Sequence, residues 1–240
     1  MAPALGAGYR EFESLHHDHC TNMKSLDAIG LTTGTDKNSQ MHNYCEKYQK
    51  YLPFPRTAEL KILEIGVQYG KSINMWSEFY ANAAVVVGID INPECKIIEN
   101  PSKKIFVEIG SQSDKVFLNS VATKYGPFDL IIDDGSHMQS DVILSFDCLF
   151  PSLRTQGVYI IEDTCCAYWP EFCDTDKSSV EYMKSLVDHV HFFGQKLKGY
   201  PAILRREDLH VAQVNKESVN MRTDIESINF MNSTILVTKR

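Results

Sequence analysis

The sequence predicts an α/β fold: a mainly parallel, seven-stranded sheet covered by helices and closed by a C-terminal antiparallel hairpin. Three observations carry this expectation. From residue 60 onward, short apolar runs rich in β-branched residues alternate with amphipathic stretches, the texture of a parallel sheet buried on both faces. The first run leads directly into a turn bearing two glycines, Leu63-Glu-Ile-Gly-Val-Gln-Tyr-Gly70, as in ligand-binding βα units. Near the end, two further runs flank Asn232-Ser233, the pattern of two strands joined by a tight turn.

In chain order, residues 9–28 place Tyr9, Phe12, Leu15, Cys20, Met23 and Leu26 three or four positions apart, which predicts a helix ending before Gly30. Residues 31–39 read as a loop. A second helix follows, with Tyr44, Tyr48, Tyr51 and Leu52 on one face and Pro53 and Pro55 as its stop. Residues 1–57 are too few to build their own core, so they are expected to form a helical cap or lid on a domain spanning 58–240. The predicted strands are 61–65, 84–90, 104–109, 128–133 and 157–161. Helices are expected at 71–81, 113–124, 138–149 and 178–191, with Tyr182, Met183, Leu186, Val187 and Val190 of the last in the core. Residues 227–231 and 234–238 form the hairpin.

Composition narrows the function classes. The 31 acidic residues exceed the 24 basic ones, for a net charge of −7. That balance disfavours nucleic acid, whose binding draws on Lys and Arg neutralising phosphates. No apolar run approaches the ~18–20 residues that span a bilayer. The first ten residues lack the basic and apolar regions of a secretory signal. Seven irregularly spaced cysteines fit reduced thiols, and a Cys165–Cys166 disulfide would be strained. A cytoplasmic protein with neither a nucleic-acid nor a membrane partner is expected. His16-His-Asp-His19-Cys20 reads either as a transition-metal cluster on one helical face or as a polar surface patch.

The glycine turn and the strand ends suggest a ligand. Gly66 and Gly70 allow a sharp turn and close backbone approach, and the helix opening at Lys71-Ser72 offers free N–H groups to a polar head group. The spacing is GxxxG rather than the GxGxxG of dinucleotide sites, so a pyrophosphate is poorly provided for. Asp90 ends the second strand, where a carboxylate can accept both hydroxyls of a ribose. Gly110-Ser-Gln-Ser-Asp114 brings polar groups to the edge where an adenine would lie. The competing reading of the GxxxG turn is simple helix–strand packing.

The second constellation is acidic. Asp133 and Asp134 end the fourth strand, and Glu162 and Asp163 end the fifth. In a parallel sheet these ends share an edge, and four carboxylates there repel one another unless protonated or bridged by a cation. Oxygen ligands suit a hard ion such as Mg²⁺. His137, three residues beyond Asp134, is suited to take a proton from a hydroxyl near neutral pH. Alternatively, Asp-Asp-Gly is only a strand-ending turn and Glu162-Asp163 a solvated edge.

With these residues in place, the sequence resembles the class I S-adenosylmethionine-dependent methyltransferases, through Leu63-Glu-Ile-Gly66, Asp90 and the terminal hairpin. Gly34-Thr-Asp-Lys37, His42-x-Tyr44, Asp133-Asp-Gly-Ser-His137, Glu162-Asp163 and Tyr168-Trp-Pro-Glu-Phe172 are similar to the metal-dependent macrolide-sugar O-methyltransferases of the mycinamicin type. Parts of the pattern are shared with methyltransferase-like proteins of cephalosporin tailoring. The resemblance covers residues 33–240, and Ser111 departs from it, since Asp usually precedes the Gln there. It implies S-adenosyl-L-methionine and Mg²⁺ as cofactors. It also implies Asp134, Glu162 and Asp163 as metal ligands and His137 as the base. The expected cofactor contacts are Glu64, Gly66, Tyr69, Gly70, Ser72, Asp90, Ser111, Gln112 and Asp133.

The resulting expectation is Mg²⁺-assisted methylation of a hydroxyl on a small natural product, by a protein that self-associates. A carboxylate acceptor giving a methyl ester, or a non-catalytic partner of a tailoring enzyme, are the alternatives; a dehydrogenase fits worst. Asp36, Lys37, His42 and Tyr44 either close over the ligands or form a capped helix start. Tyr168, Trp169, Pro170 and Phe172 either wall the acceptor pocket or pack beneath a loop.

Overall fold

The structure, a computed structural model, describes residues 23–191 and 224–240. The expected helix up to residue 22 and the His16–Cys20 cluster lie outside the described residues. The sheet comprises β1 (Lys61–Ile65), β2 (Val85–Asp90), β3 (Ile105–Ile109), β4 (Phe128–Asp133), β5 (Leu153–Glu162), β6 (Ile225–Met231) and β7 (Thr234–Lys239). Their spatial order is β3-β2-β1-β4-β5-β7-β6. The first five run parallel, β7 pairs antiparallel with β5, and β6 pairs antiparallel with β7. The chain steps outward from β1 to β3, then returns to place β4 on the other side of β1. That reversal opens a crevice above the ends of β1 and β4, where such sheets bind ligands.

Successive residues of each strand point to opposite faces. Ile62, Val86, Leu130, Ile160 and Leu236 face one core with Trp76 and Tyr80. Leu63, Val87, Ile131, Tyr159 and Val237 face another with Leu118, Phe146 and Leu149. The covering helices are α1 (Leu26–Thr33), α2 (Tyr44–Tyr51), α3 (Lys71–Phe79), α4 (Lys115–Tyr125), α5 (Gln139–Leu149), α6 (Ser179–Ser185) and α7 (Val187–Val190). Leu26, Ile29, Tyr44 and Tyr48 from α1 and α2 belong to the first of these cores.

Three local expectations are corrected. Gly30 does not stop a helix: it is buried within α1, where a Cβ would stand 3.0 Å from Cys45 Sγ. The stop is Gly34, at φ 72°, whose N–H donates back to the Gly30 carbonyl. Tyr51 is exposed, and Leu52, just past the end of α2, takes the core position instead. The expected helix over 178–191 is two helices. The Leu186 N–H closes α6 on the Met183 carbonyl, a tighter turn that leaves Val187 exposed on α7.

Candidate active site

Gly66 begins the site. Its φ is +89°, and a Cβ there would lie 2.1 Å from the Asp134 carbonyl oxygen. The residue therefore has to be glycine for two reasons, backbone conformation and the close passage of β1's exit past β4's. The Gly66 N–H donates to the Ile89 carbonyl and the Asp134 N–H to that of Ile65, tying three strand ends together. The turn ends at Gly70, also left-handed, which opens α3.

A cavity of about 570 Å³ lies over this edge. Gly66, Tyr69, Ser72, Asp90, Ser111 and Gln112 line one part; Asp134, His137 and Asp163 line the other, with Gly34, Thr35, Asp36 and Met41 above. Of the expected cofactor contacts, Glu64, Gly70 and Asp133 are not in the wall. Glu64 is fully buried on β1. Asp133 sits behind Gln112, whose Nε2 donates to it at 2.7 Å, and Ser145 and Tyr159 also donate to it. Burial pushes the Asp133 carboxyl up to about 6 despite these bonds. Gln112 in turn accepts the Ser136 N–H at 3.0 Å, so Asp133 shapes the wall through Gln112 rather than touching the space.

Asp90 lines the cavity, but much of its accepting capacity is already used. Oδ2 accepts the Val67 and Gln68 N–H groups, both at 2.9 Å, and Oδ1 accepts that of Asn92 at 2.8 Å. Burial opposes the charge, yet these donors hold the carboxyl below its usual range. Asp90 thus organises the glycine turn, and Oδ1, with one donor bound, keeps accepting capacity in a residue that lines the cavity.

The acidic residues divide into an inner and an outer set. Asp134 Oδ1 stands 3.9 Å, and Asp163 Oδ2 3.7 Å, from His137 Nε2. These three side chains can each offer one atom to a single ion. The three groups are therefore close enough together for one small cation to sit among them. His137 and Asp163 both sit at positive φ, 58° and 48°. For residues with a Cβ that is sparsely populated backbone, often kept where it aims a functional group.

Glu162 does not join this group. It is buried, with Oε2 accepting from Lys37 Nζ at 2.7 Å and Oε1 from the Tyr48 hydroxyl at 2.6 Å. Lys37 Nζ also donates to Asp134 Oδ2 at 2.5 Å, and the Tyr44 hydroxyl to Asp163 Oδ1 at 2.5 Å. Burial would depress the Lys37 ammonium, but Glu162, Asp134 and Glu64 hold it well above the usual lysine value. One ammonium cannot compensate three carboxylates: burial keeps Asp134 and Glu162 raised against its pull. Sequence reasoning missed the part played by Tyr48 and left that of Lys37 and Tyr44 open. The excess of carboxylates at one edge was the available signal that a cation had to come from elsewhere in the chain.

Beyond Asp163, Tyr168 and Trp169 are exposed. Phe172 lies between Trp169 and His137, with ring centroids 6.0 and 6.3 Å away. Cys165 and Cys166 are free thiols. Among the described residues no helix is long and apolar enough to cross a membrane.

A family described as "Methyltransferase domain" matches residues 63–164. The chain is 34% identical over 181 residues to L-olivosyl-oleandolide 3-O-methyltransferase of Streptomyces antibioticus, covering 70% of this chain and 46% of that protein. It is 35% identical over 169 residues to mycinamicin VI 2''-O-methyltransferase of Micromonospora griseorubida, covering 65% and 41%. The chain therefore spans less than half the length of these curated relatives. Among solved structures, MycE methyltransferase from the mycinamycin biosynthetic pathway, in complex with Mg and SAH, superposes with a TM-score of 0.76 at 28% identity. That match covers 91% of this chain and 55% of that one. Sheet order, terminal hairpin and these matches agree: the chain has a Rossmann-like fold, matches a methyltransferase domain over residues 63–164 and resembles the mycinamicin-type macrolide-sugar O-methyltransferases.

Proposed function

We propose that the protein is an S-adenosylmethionine-dependent O-methyltransferase that methylates a hydroxyl of a small molecule with help from Mg²⁺. One observation carries the reading: His137, Asp134 and Asp163, grouped closely enough to share an ion, line the same cavity as the glycine turn and Asp90. S-adenosylmethionine, when bound, supplies an activated methyl group, and Mg²⁺ lowers the cost of charge on an acceptor oxygen. The glycine turn, Asp90, Tyr69 and Ser111 would hold the nucleoside end of the donor. Asp134 and Asp163 would hold the ion through their outer oxygens. Glu162, named a ligand by resemblance, stands behind them on Lys37 and would join only by giving up that partner. His137 would take the hydroxyl proton; the aromatic residues at 168–172 lie outside the cavity's lining. Much of the acceleration comes from holding acceptor and donor in line.

The reading extends to a natural-product sugar as acceptor, to a cap formed by residues 1–57 over a domain of residues 58–240, and to self-association in the cytoplasm. A carboxylate acceptor is ionised at neutral pH and has no use for a base, whereas His137 stands over the cavity.

Transfer of a labelled methyl group to a panel of hydroxylated and carboxylated acceptors tests this. EDTA should abolish transfer and Mg²⁺ restore it; activity indifferent to chelation rejects the ion. His137→Ala should lower kcat about 100-fold or more while S-adenosylhomocysteine still binds. Transfer to carboxylates that survives His137→Ala favours ester formation, and cofactor binding without any transfer favours a non-catalytic role.

A further inference from the structure

Asp134, Glu162 and Asp163 are each gripped by the same short stretch of chain. Lys37 holds Asp134 Oδ2 and Glu162 Oε2, Tyr48 holds Glu162 Oε1, and Tyr44 holds Asp163 Oδ1. The opposite oxygens, Asp134 Oδ1 and Asp163 Oδ2, are the ones turned toward His137 and the cavity. The three donors come from the turn before α2 and from its first two turns, more than ninety residues from their acceptors. Lys37 and Tyr48 are fully buried, and Tyr48 packs in turn on Trp76 of α3. The Cys45 N–H donates to the Lys37 carbonyl, which locks the lysine's backbone to the start of α2.

We infer that Lys37 and Tyr44 are positioning residues, a harness that fixes the inner oxygens of Asp134 and Asp163 so that the outer ones are presented to a divalent cation, while Tyr48 positions Lys37 at one remove by holding Glu162 against it. The 34–52 stretch is then a working part of the ion site as well as a cover over it. A carboxylate free to rotate spends entropy each time it binds an ion; one already bonded on its inner oxygen does not. The harness also supplies the one positive charge among three buried carboxylates, so the edge can fold before any ion arrives. The inference rests on the ion reading above.

Lys37→Met strips the charge from two buried carboxylates and is expected to impair folding, so the tyrosines carry the test. Tyr44 is buried in the core, and Phe keeps that packing while removing only the hydroxyl. Binding of Mn²⁺, a spectroscopic stand-in with similar oxygen-ligand preference, is measured by paramagnetic resonance on the full chain without acceptor. Tyr44→Phe should weaken Mn²⁺ binding roughly tenfold, the worth of one hydrogen bond to a charged acceptor. S-adenosylhomocysteine affinity should stay within about twofold, as the donor end of the cavity is untouched. Tyr48→Phe should also weaken Mn²⁺ binding, despite Glu162 lying outside the cavity wall. Mn²⁺ affinity within twofold of wild type in Tyr44→Phe overturns the harness. So does a loss of Mn²⁺ and S-adenosylhomocysteine binding in equal proportion, the mark of a merely structural role. Failure of the wild type to bind Mn²⁺ instead overturns the ion reading, and the harness with it.

Discussion

Glu64 shows what a single residue reveals about the site's electrostatics. It lies fully buried on β1, with Ser72 and Trp76 of α3 as its neutral polar neighbours. Burial pushes its carboxyl up to about 7, with the Lys37 ammonium pulling the other way. A carboxyl whose folded value is raised stabilises the fold fully below its unfolded value, about 4.3, and that contribution is lost as pH rises through about 7. Between pH 5.5 and 8 the wild type should therefore lose stability that Glu64→Gln keeps. The melting-temperature difference between the two should change by roughly 5 °C over that range, in favour of the variant at pH 8. A difference independent of pH would contradict the assignment. Single side chains were also where the sequence said least. Glu162 and Asp163 are neighbours that read as one acidic pair, yet Glu162 turns into the core toward Tyr48 while Asp163, with φ at 48°, turns to the cavity. Backbone conformation at a strand's last residue decides that direction, and composition does not encode it.

At the scale of elements, most strands were legible to within two residues, while β5, expected at 157–161, starts four residues earlier at Leu153. The runs at 61–65 and 128–133 coincide with β1 and β4 because short, predominantly apolar runs are what a two-sided core demands. Helix limits in the first fifty residues were less legible, because Gly30 serves packing against Cys45 and not termination. The turn between β1 and α3 is the element on which both halves of the site depend, and it was foreseen from its glycines. Gly66→Ala would need a left-handed backbone and would press a methyl group against the Asp134 carbonyl. It should cost more than about 2 kcal/mol, a fall of roughly 5 °C or more in melting temperature, and should weaken S-adenosylhomocysteine binding as well. A variant that melts like the wild type would mean that the passage between β1 and β4 is looser than it stands here.

At the scale of the whole molecule, parallel strands bring their carboxyl ends to one edge, so residues 66, 90, 112, 134 and 163 converge however far apart they lie in sequence. That convergence was legible once the sheet was read as parallel. The contribution of Lys37 and the α2 tyrosines was not, since contacts reaching more than ninety residues along the chain leave no periodic trace. The account's central claim is that ion and methyl donor share one cavity. A crystal of the full chain grown with S-adenosylhomocysteine and Mn²⁺, read by anomalous scattering, tests it most directly. The account predicts a manganese peak bonded to Asp134 and Asp163, in the same cavity as a nucleoside lying along Gly66, Asp90 and Ser111. Manganese held elsewhere, or a nucleoside in a crevice to which the Asp134 and Asp163 carboxylates turn their backs, would contradict it.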